Sequence, residues 1–118
     1  MADSGLFIGW GEVVRGREAE AVDTFNSTVE YFGGLQADGS IENFEAVFLE
    51  QHGGDLNGFF FVRGDAEKLS ALRVDEDFEA VILRAGLIVN NIGVVGAAMG
   101  ARLERQMGSF TEAIAQFA

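Results

Sequence analysis

Cysteine and proline are both absent from this chain of 118 residues. Without cysteine there can be no disulfide, no thiolate zinc site and no thiol nucleophile. That absence fits a reducing, cytoplasmic setting. Without proline, turns and strand ends must rely on the 16 glycines and on Asn and Asp. Histidine, tryptophan and tyrosine occur once each, as His52, Trp10 and Tyr31. A lone histidine builds no histidine pair, so no metal site is expected. Basic residues are scarce as well. Eight Lys and Arg stand against 19 Asp and Glu, giving a formal net charge of −11. Such a chain repels nucleic acid and anionic lipid, and neither is expected as a partner. The start, "MADSGLF", lacks the basic-then-apolar pattern of a secretory signal.

Cofactor motifs are missing too. The glycines of "GWGEVVRG" do not have dinucleotide-fingerprint spacing, and "GVVGAAMG" lacks the strand–turn–helix context. "DEDFE" lacks the glycine and alternating ligands of a calcium loop. No cofactor is expected.

What is present is apolar. Hydrophobic residues make up 48% of the chain, enough for one folded domain over residues 1–118. "LFIGWGEVV" (6–14) predicts a first strand. Val22, Phe25, Val29 and Phe32 then recur on one helical face, with Gly33-Gly34 as the expected stop. "IENFEAVFLEQH" (41–52) and "LNGFFFVR" (56–63) predict a hairpin across a short "GGD" turn. Residues 64–86 read as two helical pieces, capped by Asp65 and Asp75. "LIVNNIGVVGAA" (87–98) predicts a last strand rich in β-branched residues.

The uncharged run Ala85–Ala101 is 17 residues long, the short limit of a membrane span. Asn90-Asn91 and the β-branched residues favour a strand buried on both faces instead. Leu103, Met107, Phe110, Ile114 and Phe117 recur at four, three, four and three, which marks an amphipathic C-terminal helix. Ser109 and Glu112 alternatively form a capping box that restarts a helix after Gly108.

The predicted order is β-α-β-β-α-β plus a C-terminal helix, the split βαβ of an α+β ferredoxin-like fold. "GFFFVR" (58–63) resembles the base-stacking strand of RNA-recognition modules, with Leu6-Phe7-Ile8 matching their first strand. On that resemblance Phe7, Phe59 and Phe61 would be the stacking rings. The pattern departs where Asn57 replaces a basic residue, Phe60 a small one and Gly64 an aromatic one. A chain of net −11 also lacks the charge that holds phosphates.

The element order from Leu6 to about Ala98 also resembles the dimeric α+β barrel superfamily. In that family two ferredoxin-like subunits bring their sheets together. The resemblance implies a homodimer, and a small apolar or aromatic ligand in a cavity at the paired sheets. Phe7, Phe59 and Phe61 would line it, with Trp10, His52 and Arg63 as polar or rim residues. His52 is then a general base tuned for neutral pH, or an exposed turn residue. Trp10, between Gly9 and Gly11, walls a pocket with Tyr31 or packs in the core. Arg63 and Arg84 hold an anionic group or pair with nearby acids. Two functions stay open: a small-molecule-binding or cofactor-independent enzyme domain, and a non-catalytic structural homodimer with the rings as interface.

Overall fold

A computed structural model describes residues 2–117. Strand β1 (Ser4–Trp10) leads into helix α1 (Glu18–Ala37), followed by β2 (Asn43–Phe48) and β3 (Gly58–Gly64). Helices α2 (Ala66–Arg73) and α3 (Glu76–Gly86) precede β4 (Gly93–Ala98), and α4 (Gly100–Gln116) comes last. The strands form one sheet in the order β2-β3-β1-β4, with every neighbouring pair antiparallel. This is the expected ferredoxin-like α+β architecture, with a C-terminal helix added.

Alternation along β3 sets the two faces of the sheet. Gly58, Phe60, Val62 and Gly64 are buried, while Phe59, Phe61 and Arg63 are half-buried. Successive strand side chains point to opposite faces, so the three adjacent phenylalanines split between them. Leu6 pairs with Val62 and Phe7 with Phe61, which carries the same division into β1. The core joins Leu6, Ile8, Phe60 and Val62 of the sheet to Phe32 of α1, Leu69 and Leu72 of α2 and Phe78 of α3. Burying each such side chain stabilises the fold by roughly 1.5–3 kcal/mol.

Both predicted aspartate caps are present. Asp65 accepts from the Lys68 N–H at 3.2 Å. Asp75 accepts from Asp77 and Phe78 at 2.9 and 3.3 Å. Other boundaries move. Helix α1 runs through Gly33-Gly34 and stops at Asp38 and Gly39, whose φ is +83°. Two interior glycines cost about 1 kcal/mol each, and the packing of Phe32 and Leu35 into the core outweighs that cost. The β2–β3 connection spans residues 49–57 rather than a short turn.

The last strand begins at Gly93, not Leu87. Leu87 caps α3, Ile88 is buried, and Asn91 takes the left-handed φ of 57°. One uncharged run therefore serves a helix end, a loop and a strand. β4 is an edge strand with Val95 56% exposed, so the expected burial on both faces does not hold within the chain. No helix among the described residues is long and apolar enough to cross a membrane.

Helix α4 is continuous, without a restart at Gly108. None of its residues is buried. The radius of gyration is 16.5 Å, against about 13–14 Å for a compact domain of this length. α4 therefore stands off the body.

Candidate functional site

A cavity of about 460 Å³ lies between the sheet and the helices. Its floor is Ile8 and Trp10 of β1 with Phe60 of β3. One wall is α1, through Ala21, Phe25 and Thr28; the facing wall is α3, through Val81, Ile82 and Ala85. Alanines on both inner faces leave space that larger side chains would fill. Residues 88–92 close one end. Gly11 donates to Asn90 O, Val14 donates to Ile88 O, and Val13 bridges Val89.

Aromatic rings shape the floor. Phe60 meets Phe25, Trp10 and Phe32 at centroid distances of 5.5, 5.3 and 5.3 Å. Trp10 and Phe25 each also pack on Phe48. The Trp10 ring lies over Gly58, where an added Cβ would come within 2.7 Å of it. The pairing of Trp10 with Gly58 across the two strands thus makes room for the indole.

Few polar groups reach this space. The polar-tipped residues along it are Trp10, Thr24, Thr28 and Glu18. Thr28 Oγ1 donates to Thr24 O at 2.7 Å, which leaves its lone pairs free to accept. Glu18 accepts from the Gly16 N–H at 3.1 and 3.2 Å. Such a site suits a neutral, mostly apolar molecule carrying one or two hydroxyl or carbonyl groups.

The expected site residues divide. Trp10 lines the cavity. Phe7, Phe59 and Phe61 do not, because they occupy the opposite, open face of the sheet. Strand alternation therefore separates Trp10 from the three rings, whose expected cavity lies between the sheets of two subunits rather than within one chain. Phe7 and Phe59 lie 4.9 Å apart. An added Cβ on Gly5 would come within 2.8 Å of Phe61, and one on Gly9 within 2.8 Å of Phe7, so both rings lie down on the sheet.

Arg63 sits 4.8 Å from the Phe61 ring centroid and pairs with Glu45 at 3.1 Å, which matches its ordinary role. His52 is exposed in the 49–57 loop and outside the cavity. Its Nδ1 accepts from the Gly54 N–H at 3.2 Å, which leaves Nε2–H to donate to Leu56 O at 2.8 Å. Arg84 lies in the last turn of α3 and does not line the cavity. Of the two glycines flanking Trp10, Gly11 admits backbone: Asn90 O and Asp55 O each lie 2.9 Å from its Cβ position.

Tyr31 packs at the edge of the core, away from the cavity. Its hydroxyl is buried with no hydrogen-bond partner among the described residues. Burial first, then Asp75, Asp77 and Asp38, push its pKa up to about 12. No cluster of three or more His, Asp or Glu suited to a metal occurs among the described residues.

Sequence reasoning missed Thr24, Thr28, Ala21 and Ala85. One signal was available: Thr28 shares a helical face with Phe25 and Phe32. A threonine and small residues on inner helix faces mark a place where packing is left open.

No protein-family model matches the chain, and no curated protein matches it significantly. Solved structures do match. A dimeric ferredoxin-like protein of unknown function from a Jannaschia species aligns with a TM-score of 0.63 at 16% identity, covering 81% of this chain and 99% of that one. A similar dimeric protein of unknown function from Bacteroides fragilis gives 0.59 at 14%, covering 81% and 96%. SnoaB, a cofactor-independent oxygenase from Streptomyces nogalater, gives 0.50 at 17%, covering 85% and 98%. At these identities the likeness concerns the fold: this chain has the ferredoxin-like topology found in dimeric α+β barrel proteins.

Proposed function

We propose that the chain is one domain, acting as a homodimer, that binds a small neutral apolar or aromatic molecule in the cavity between its sheet and helices. The carrying observation is the open volume of about 460 Å³ amid aromatic and aliphatic side chains. Protein interiors are otherwise close-packed, and a purely structural dimer has no use for such a space. Any chemistry on that ligand would be of the cofactor-independent kind performed by SnoaB, whose fold is similar. Glu18, an ionisable side chain at the cavity, is then the candidate base. His52 is assigned to its loop, because both ring nitrogens are already engaged there.

The homodimer uses the open sheet face. Phe7, Phe59, Phe61 and Val95 form an apolar surface whose neighbouring charges, Glu45 and Arg63, neutralise each other. In a chain of net −11 such a face lets two copies approach. The cysteine-free composition supports a reducing, cytoplasmic setting for it.

Trp10 is the sole tryptophan and lines the cavity, so its emission reports occupancy. Titration with 2-naphthol should quench that emission saturably. Ala85→Phe, which fills the cavity from α3, should abolish the quench without unfolding the protein. His52→Ala should leave it unchanged. Equal quenching in wild type and Ala85→Phe, or none up to the solubility limit, would favour the structural homodimer instead.

A further inference from the structure

Helix α4 exposes a continuous apolar stripe. Leu103, Met107, Phe110, Ile114 and Phe117 are 46%, 54%, 60%, 55% and 92% exposed. The helix is tied to the body only at its start. There Met99 N–H donates to Asp3 O, Gly100 turns with φ +52°, and Arg102 donates to Ser4 Oγ at 2.9 Å. Beyond that point no described residue buries it.

The shape of the stripe says what fits. Its spacing of four, three, four and three is a strict seven-residue repeat, the narrow seam that pairs with another helix. A sheet or a globular core would favour a broader face. With Met107 and Ile114 at one seam position and Leu103, Phe110 and Phe117 at the other, the flanking residues are Glu104, Gln106, Thr111 and Ala113. Three of those four are uncharged and two are short. Arg102, Arg105 and Glu112 lie on the outer side, and the helix as a whole carries no net charge.

That balance gives α4 no electrostatic attraction to an anionic membrane surface, where interfacial helices are typically rich in Lys and Arg. It also spares α4 the like-charge repulsion expected of a −11 chain. Large apolar side chains bring roughly 150–250 Å² each, so this stripe exposes on the order of 600 Å². Two such stripes reach about 1,200 Å², the lower bound of a stable interface.

We infer that α4 is a self-association arm whose seam pairs with α4 of a second copy. The inference rests on the homodimer proposed above, but its seam is distinct from the open sheet face. Phe110 is the midpoint of the stripe, so it meets its counterpart in either helix orientation. The chain has no cysteine to interfere.

Under mild oxidation Phe110→Cys should cross-link about tenfold faster than Glu112→Cys, placed on the outer side of the same helix, because pairing raises the local thiol concentration. The double variant Met107→Glu/Ile114→Glu should keep wild-type helicity and sediment as a smaller species. Equal cross-linking at both positions, or wild-type sedimentation of the double variant, would overturn the inference, whatever the effect of Phe61→Asp, which places a carboxylate in the open sheet face and probes the sheet-to-sheet contact. If Phe61→Asp stays associated while the double variant dissociates, α4 pairing stands and the sheet-to-sheet contact fails.

Discussion

The two faces of the sheet are built from the same kinds of residue and finished differently. On one, Leu6, Ile8, Phe60 and Val62 meet three helices and lose nearly all contact with solvent. On the other, Phe7 and Phe61 lie flat over Gly9 and Gly5, and with Phe59 they stay half-buried, beside an exposed Val95. The helix-side face keeps a cavity open beside its tight core. The open face offers an apolar plate of half-buried rings. Hydrophobicity alone therefore does not identify a binding site. What separates a core, a pocket and an interface is which neighbouring elements arrive and how large their side chains are.

The largest expected effect tests the core side. Phe32 has no exposed surface and touches Phe60, Phe44 and Tyr31. Phe32→Ala should lower unfolding free energy by about 3–5 kcal/mol, read from urea denaturation. Phe59→Ala on the open face, measured at a dilution that favours monomer, should cost less than about 1 kcal/mol because the ring is only half-buried. Equal losses would mean the two faces do not differ as drawn.

The next effect tests the open face. Phe61→Asp places a carboxylate at the middle of the plate and should leave the monomer fold intact. Association should weaken by about 100-fold, or near 3 kcal/mol, in sedimentation equilibrium. A Phe61→Asp protein that associates like wild type would remove the sheet-to-sheet homodimer.

Much of this architecture is legible in the sequence. Element order follows from periodicity, the aspartate caps from Asp65 and Asp75, and the division of faces from strict alternation through Phe59, Phe60 and Phe61. The site was less legible for a physical reason. A cavity is a property of what is missing between elements, and no local pattern records the distance from Ala21 to Ala85. The conspicuous rings Phe7, Phe59 and Phe61 lie on the opposite face of the sheet from it. Glycine was similarly ambiguous. Gly33 and Gly34 read as a stop, but nothing crowds them and the helix passes through. The run from Ala85 to Ala101 gave hydrophobicity without revealing that three different elements share it.

The smallest effect returns to the covered face, at Tyr31. Its hydroxyl is buried without a partner among the described residues, and burial together with Asp75, Asp77 and Asp38 raises its pKa to about 12. In the unfolded chain a tyrosine titrates near 10. The neutral phenol is thus the form the fold prefers, and its contribution is fully present below pH 10. Between pH 10 and about 12 the unfolded chain ionises while the folded one resists, so stability falls across that window. Tyr31→Phe removes the titrating group and should flatten this part of the pH–stability curve. At neutral pH it should be neutral or slightly stabilising, by less than about 1 kcal/mol, since it deletes an unsatisfied buried hydroxyl. Tyr31 is the sole tyrosine, so the ultraviolet tyrosinate band reports it directly. A native titration midpoint near 10, or an unchanged alkaline slope in Tyr31→Phe, would show that water reaches the hydroxyl and that the covered face is looser there than its packing implies.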